Sequence, residues 1–236
     1  MHIGKMLARV TNDFNARDEL GCRFRQRRFE SFYDLIRQHS AGNGLVRILD
    51  VGGTREYWNI LDWERLGETR LHIHLLNVPG AMAITARNNA VFSHLEGDGC
   101  DLSRFADGEF HIVHSNSVLE HVGDWERMER FAREIRRVGR SYFVQTPNFW
   151  FPLEPHFMVP FIHWLPEPAR LLLIRKFGMG HVSRAESDLE AMYSVQHARL
   201  LSRRMMQALF PDAVIITERI VGLPKSFIAV RRAAQA

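Results

Sequence analysis

An acid followed by paired glycines closes the run Val46-Arg47-Ile48-Leu49-Asp50-Val51-Gly52-Gly53-Thr54. An apolar β-like run with that ending reads as a buried strand that turns tightly at its carboxyl end. Glycine there lets the backbone pass close to a ligand, because no Cβ intervenes. In open α/β sheets, ligands bind just beyond such a strand end. Asp50 argues against a phosphate cradle and suits a ligand carrying positive charge or hydroxyl groups. Farther along, His121 follows Glu120, and Glu154 and His156 are polar points in an otherwise apolar stretch. Histidine near neutral pH suits removal of a proton from an oxygen nucleophile. A packed or helix-entry residue is the plainer reading of His121, and His156 is open between the two. His114 reads as structural, and no chemistry is assigned to His72, His74 or His111. No metal site is read: His156 and His163 lie seven apart across Pro160, and no cysteine or acid completes a set of familiar spacing.

These residues need a frame. Residues 12–40 read as a helix with Phe24, Phe29, Phe32, Leu35 and Ile36 on its apolar stripe, ended by Gly42-Asn43-Gly44. Strands are expected at 46–50, 71–76, 91–95, 110–114 and 141–144. Helices are expected at 58–66, 81–89 and 124–138. This alternation argues for a mainly parallel sheet covered on both faces. Between 147 and 168, Pro147, Pro152, Pro155, Pro160, Pro166 and Pro168 exclude regular helix or strand through most of the segment. A helix is expected near 187–209. Two strands, 213–219 and 226–230, joined by Val221-Gly222-Leu223-Pro224, form a terminal antiparallel pair.

With 236 residues, 46% hydrophobic and 25% charged, the chain has the composition of one ordinary globular domain. Cys22 and Cys100 fit neither a disulfide framework nor a metal site, which points to a reducing, cytoplasmic setting. Met1 to Arg28 is too polar for a secretory signal, and no apolar run reaches the roughly 20 residues that span a bilayer. The net charge is +4 and rests on arginine: Arg23, Arg25, Arg27 and Arg28, then Arg127, Arg130, Arg133, Arg136, Arg137 and Arg140 on one expected helix. Solvated helix faces are the plain reading. No interleaving of aromatic and basic residues favours nucleic acid.

Five stretches in order resemble the class I S-adenosylmethionine-dependent methyltransferases, in particular the small-molecule superfamily called type 11. They are the Asp50-Val51-Gly52-Gly53 turn, Glu96-Gly97-Asp98-Gly99 before Asp101-Leu102, and His114-Ser115-Asn116-Ser117-Val118-Leu119-Glu120-His121-Val122. Val144-Gln145-Thr146-Pro147-Asn148 and Phe151-Pro152-Leu153-Glu154-Pro155-His156-Phe157 complete the set and resemble a bacterial subgroup associated with glycan and cell-surface biosynthesis. The resemblance covers about residues 45–232. It implies a Rossmann-like α/β fold: a seven-stranded, mainly parallel sheet with a terminal antiparallel strand, helices on both faces, and a proline/aromatic cap after strand five. It implies S-adenosylmethionine as cofactor, with Asp50, Gly52, Gly53 and Thr54 around the methionine and ribose part. By the same resemblance Asn77 meets the ribose hydroxyls, Asp98 and Gly99 the adenine, and Ser115, Asn116 and Ser117 the floor near the sulfonium. Two departures stand out. The spaced glycines of the family's first loop are reduced to Gly52 with Gly53 beside it, and the usual acid after strand two is Asn77, which lacks charge assistance.

The expectation is one methyltransferase-like domain over 1–236, with an N-terminal helical segment (1–44), a cofactor-binding core (45–146), a cap (147–185) and a C-terminal helix and strand pair (186–236). The expected reaction is O-methylation of a sugar, glycolipid or other small molecule, with His121, His156 and Glu154 as catalytic candidates. The expected partner is that acceptor, not nucleic acid, and the oligomeric state is left open. The cap, rich in tryptophan and flanked by Arg170, Arg175 and Lys176, suggests a location peripheral to the inner face of a membrane. A non-catalytic binding protein of the same fold is the alternative, motivated by Thr54, Glu56 and Asn77. A nicotinamide-dependent oxidoreductase is disfavoured by the missing third glycine and the missing acid after strand two.

Overall fold

The computed structural model describes residues 20–40, 44–80, 88–179 and 182–233. A helix, α1 (Leu20–His39), precedes strand β1 (Leu45–Val51). A 3-10 turn over Arg55–Ile60 and a single helical turn, α2 (Trp63–Leu66), replace the helix expected at 58–66. Asp62 divides them, because its side chain accepts from the Arg65 N–H and caps α2. Then follow β2 (Arg70–Asn77), β3 (Phe92–Glu96), β4 (Phe110–Asn116), α3 (Trp125–Val138) and β5 (Gly139–Pro147). The helix expected at 81–89 falls mostly outside the described residues, as do positions 12–19 of the first helix. Ser115 and Asn116 belong to β4 rather than to the loop after it.

In the proline-rich segment only two-residue strands form, β6 (Leu153–Glu154) and β7 (Val159–Pro160), paired antiparallel. A helix unread in the sequence follows, α4 (Glu167–Lys176), with Pro168 in its first turn, where a missing N–H costs nothing. The single helix expected at 187–209 is two: α5 (Asp188–Gln196) and α6 (Arg203–Leu209). Ser187 caps the first and Ser202 the second, each accepting a backbone N–H. The residues between them turn inward, where Leu201 bridges to Asn148 and its carbonyl accepts from the Phe149 N–H.

The last two strands, β8 (Val214–Ile220) and β9 (Leu223–Arg231), meet in a two-residue turn. Val221 and Gly222 both have positive φ, 49° and 80°, the mirror-image geometry that suits a hairpin's twist. The sheet runs β3-β2-β1-β4-β5-β9-β8. β9 alone is antiparallel to its neighbours and lies second from the edge.

Side chains alternate between the two faces. Val46 and Ile48 of β1 face α1, which contributes Phe29, Phe32, Leu35 and Ile36. Leu49 and Val51 face α3, whose Met128, Phe131, Ala132, Ile135 and Val138 recur at helical spacing. Burying one such phenylalanine is worth roughly 1.5–3 kcal/mol. The cap holds a small core of its own, built on Phe157, Ile162, Ile174, Ala185, Ala191 and Val195. The arginines expected on a solvated face are largely paired: Arg137 with Glu134 and Asp107, and Arg136 with Asp212. Arg140 stands on β5 rather than on the helix.

Two half-buried histidines on this frame carry a pH dependence. Burial, with His111 and Arg140 nearby, lowers His39 to about 4; burial, with His72 and Arg47, lowers His74 to about 4. An unfolded histidine titrates near 6.5, so below that pH the unfolded chain takes up protons that the folded chain refuses. Stability is therefore expected to fall as pH drops from about 6.5 toward 4. Melting temperatures across that range check this, and the double variant H39Q/H74Q should show a shallower decline. An identical slope in the variant would remove both residues from the account.

Candidate active site

The acid of the glycine turn is wholly buried, and both of its oxygens are engaged. Trp58 Nε1 donates to Asp50 Oδ2 at 2.8 Å, and His114 Nδ1 lies 2.7 Å from Oδ1. β1 and β4 set this up: Asp50 and His114 are partners in parallel register. The His114 ring packs among Phe32, Tyr57, Trp58 and Phe143. Gly53 lies directly over the carboxylate, and a Cβ there would sit 1.7 Å from Asp50 Oδ2. Gly52 has φ 76°, and a Cβ on it would meet Val118 at 2.4 Å. The Gly52 N–H donates to the Leu76 carbonyl, and Asn77 Nδ2 donates to the Gly53 carbonyl at 2.9 Å. Asp50 thus braces the turn from beneath, although the resemblance placed it against the ligand.

The other expected cofactor residues divide in two. Gly52, Gly53, Asn77 and Asp98 are half-buried, and Thr54 and Ser117 are exposed, all at the carboxyl ends of neighbouring strands. Ser117 has φ 55° and donates through Oγ to Gln145 Oε1. Asp98 accepts from the Cys100 N–H and pairs with Arg127 of α3 at 2.8 Å; partial burial works against its charge, but these partners hold its carboxyl below the usual range. The remaining residues point inward. Ser115 donates to the Val51 carbonyl, and Gly99 is packed so closely that a Cβ would lie 2.7 Å from Phe131 and from Val51. Asn116 Oδ1 accepts from Arg28, whose guanidinium also grips Glu218 through two hydrogen bonds.

A second polar cluster stands three residues beyond Ser117, on the 3-10 turn Leu119–His121. Glu120 is buried, its Oε2 accepts from Thr146, and its Oε1 has no hydrogen-bond partner. Burial pushes its carboxyl up to about 7. His121 Nδ1 lies 3.0 Å from the His197 carbonyl, which can only accept, so Nδ1 carries the proton. His121 Nε2 faces His156 Nε2 at 3.1 Å. His156 Nδ1 lies 2.6 Å from Glu154 Oε1, and Glu154 Oε2 accepts from the Phe157 N–H. Burial, with His156 nearby, lowers His121 to about 4; burial opposes charge on His156 too, but Glu154, with Glu120 beyond, raises it above its ordinary value.

All three expected catalytic residues therefore meet, although His121 and His156 are 35 residues apart. Sequence reasoning gave no role to Glu120, Thr146 or the His197 carbonyl. The acid beside His121 was a visible signal, whereas His197 was hidden by the unbroken helix expected there. A cavity of ≈ 950 Å³ opens from the cluster, lined among others by Trp125, Phe149, Trp150, His156, Arg170 and His197.

Filling the space above Asp50 must displace the turn. G53A is expected to cost about 1–3 kcal/mol in thermal or denaturant unfolding. G44A, whose Cβ meets nothing within 4 Å, should be close to neutral. Equal stabilities for the two variants would contradict the bracing geometry.

Comparison with known proteins agrees with this architecture. The family model described as "Methyltransferase domain" matches residues 49–142. An uncharacterized protein of Mycobacterium tuberculosis, Rv1509, is 34% identical over 55 residues, 23% of this chain and 19% of that protein. This chain thus aligns with about a fifth of that relative's length. The PH0226 protein of Pyrococcus horikoshii superposes with a TM-score of 0.51 at 16% identity, covering 96% of each chain. A SAM-dependent methyltransferase from Archaeoglobus fulgidus superposes with a TM-score of 0.51 at 11% identity, covering 87% of this chain and 91% of that one. At these identities the two structures speak for the fold alone. The half-buried and exposed groups at the strand ends, with Asp98 and Asn77 as polar partners and a backbone turn without side chains, are of the kind that S-adenosylmethionine requires. The matched segment holds the ordered strands and the bracing acid together, and over it the chain is similar to the methyltransferase domain that this family model describes.

Proposed function

We propose that this protein transfers a methyl group from S-adenosylmethionine to a hydroxyl of a sugar, a lipid-linked sugar or a related small molecule held in the cap cavity. One observation carries the reading. The segment 117–121 closes the glycine turn through Val118 and, two residues later, presents Glu120 and His121, so cofactor turn and polar cluster share one wall. Such adjacency is what an in-line displacement between two bound reactants needs.

In this reading Gly52 and Gly53 give backbone to the methionine part, Thr54 and Asn77 face the ribose, Asp98 meets the adenine, and Ser117 lies near the reacting end. The bound cofactor supplies the electrophilic methyl group and its own leaving group. The chain's own residues align the acceptor and deal with its proton. His156 lines the cavity, and Glu154 on its Nδ1 favours the protonated ring, which strengthens it as a base toward a hydroxyl. His121 holds His156 from the other side. The polar cluster of Glu120, His121, Glu154 and His156 beside an open cavity supports catalysis over a non-catalytic relative of the fold.

Calorimetry with S-adenosylhomocysteine and methyl-transfer assays on sugar and lipid-linked acceptors test this. Binding is expected, and H156A should lower kcat about 100-fold or more while keeping cofactor affinity. A folded protein that binds no S-adenosylhomocysteine, or an H156A enzyme with full turnover, would contradict the reading.

A lipid-linked acceptor is supported by the cap's outer face. Trp150, 61% exposed, packs against Trp164, and Trp164 against Phe161; Leu172 is 72% exposed, and Phe177, 51% exposed, lies under the Lys176 ammonium. Aromatic and basic side chains together suit a membrane interface. Among the described residues no helix is long and apolar enough to cross a membrane. Co-sedimentation with anionic vesicles at low salt is expected for the native protein and should weaken in W150S/W164S. No co-sedimentation of the native protein would remove the membrane contact.

A further inference from the structure

Three potential metal ligands converge beside the cap cavity. Ligand-capable atoms of Glu120, His121 and His156 all lie within 4.8 Å of one another. Each imidazole has its Nδ1 committed elsewhere, His121 to the His197 carbonyl and His156 to the Glu154 carboxylate. That leaves both Nε2 atoms pointing at each other, 3.1 Å apart. When both rings are neutral, each Nδ1 carries its ring's single proton and the two Nε2 lone pairs face each other. The buried Glu120 adds an Oε1 that no donor satisfies. Two lone pairs and a carboxylate oxygen around one point ask for a cation.

We propose that Glu120, His121 Nε2 and His156 Nε2 form a binding site for a divalent first-row transition metal of the zinc type. Two imidazoles and a carboxylate are a donor set that zinc accepts, with a fourth position left open. At a Zn–N distance near 2.0–2.1 Å, a tetrahedral ion holds its nitrogens about 3.4 Å apart, so the two rings need to part by only a few tenths of an ångström. Glu154 and the His197 carbonyl already fix the rings in the tautomer that leaves Nε2 free, as the outer partners of metal-bound histidines do. Thr146 holds the other Glu120 oxygen in place.

Ligands from three separate segments are brought together by the fold. Glu120 and His121 come from the turn after β4, His156 from the hairpin of β6 and β7, and His197 orients the set from the break between α5 and α6. His156 and His197 line the cavity, so the open position faces the space assigned to the acceptor. Coordination of an acceptor hydroxyl there rests on the proposed methyl transfer, with the histidines then acting as ligands rather than His156 as the base. Binding of the metal itself does not rest on that reading.

Titration of the untagged protein with Co²⁺ tests the site through its visible ligand-field absorption. One equivalent is expected to give a four- or five-coordinate spectrum that Zn²⁺ abolishes by competition. H121A/H156A and E120Q should lose the spectrum, E154Q should weaken affinity about 10–100-fold, and H72A, outside the cluster, should keep it. S-adenosylhomocysteine binding by each variant certifies that it is folded. A native protein that binds S-adenosylhomocysteine but shows no cobalt spectrum would overturn the metal site and leave methyl transfer standing, as would a spectrum unchanged in H121A/H156A. A cobalt spectrum in a protein that transfers no methyl group would uphold the site and count against the function.

Discussion

Everything at the carboxyl ends of the strands depends on a carboxylate that never reaches the surface. Asp50 receives Trp58 from one side and His114 from the other, and Gly53 rests on top of it. A buried charge is tolerated only when its hydrogen-bonding capacity is met, and losing one partner leaves an expensive orphan. The aromatic shell around His114 keeps water away and so raises the stakes of each bond. This fixes the height and direction of the turn. Asn77, Leu76 and Val118 then lock it laterally. The backbone of the glycine turn is therefore shaped from below by buried groups and from the side by its strand neighbours.

The second cluster shows the same economy in a different form. Its buried acid sits one residue from a histidine that can only be neutral in the tautomer its carbonyl partner enforces. Glu154 fixes the facing ring in the same way. Both imidazoles are oriented by groups behind them, and their reactive nitrogens are turned toward a common centre. A site so arranged has its geometry set before any ligand arrives, which lowers the reorganisation that chemistry would otherwise demand.

Much of the frame was legible in the sequence because strand and helix periods are local. The runs around Ile48, Ile73 and Ile112 announced buried strands, and the spacing of Met128, Phe131 and Ile135 announced α3. The misreadings came where tertiary contacts outweigh local pattern. The stretch from 187 to 209 looks helical throughout, yet Ser202 caps a new helix and Leu201 is drawn to Asn148. The glycine turn was recognised, but the role of Asp50 was not, since nothing in a linear pattern tells whether a carboxylate faces outward or down. The meeting of His121 with His156 was equally invisible, because it depends on a proline-rich hairpin folding back over the sheet. The exposed aromatic face of the cap was legible only as composition.

The placement of β9 orders events in time. β5 ends at Pro147, yet the strand that covers its flank begins at Leu223. During synthesis, β5 stays open along that edge until residues beyond 223 have left the ribosome. Arg28 likewise waits for Glu218, 190 positions away, before its guanidinium is neutralised and Asn116 is held. Contacts so distant in sequence are slow to form and entropically costly to close. The flank of β5 and the Arg28–Glu218 pair thus both draw on the C-terminal hairpin, the last part of the fold to leave the ribosome.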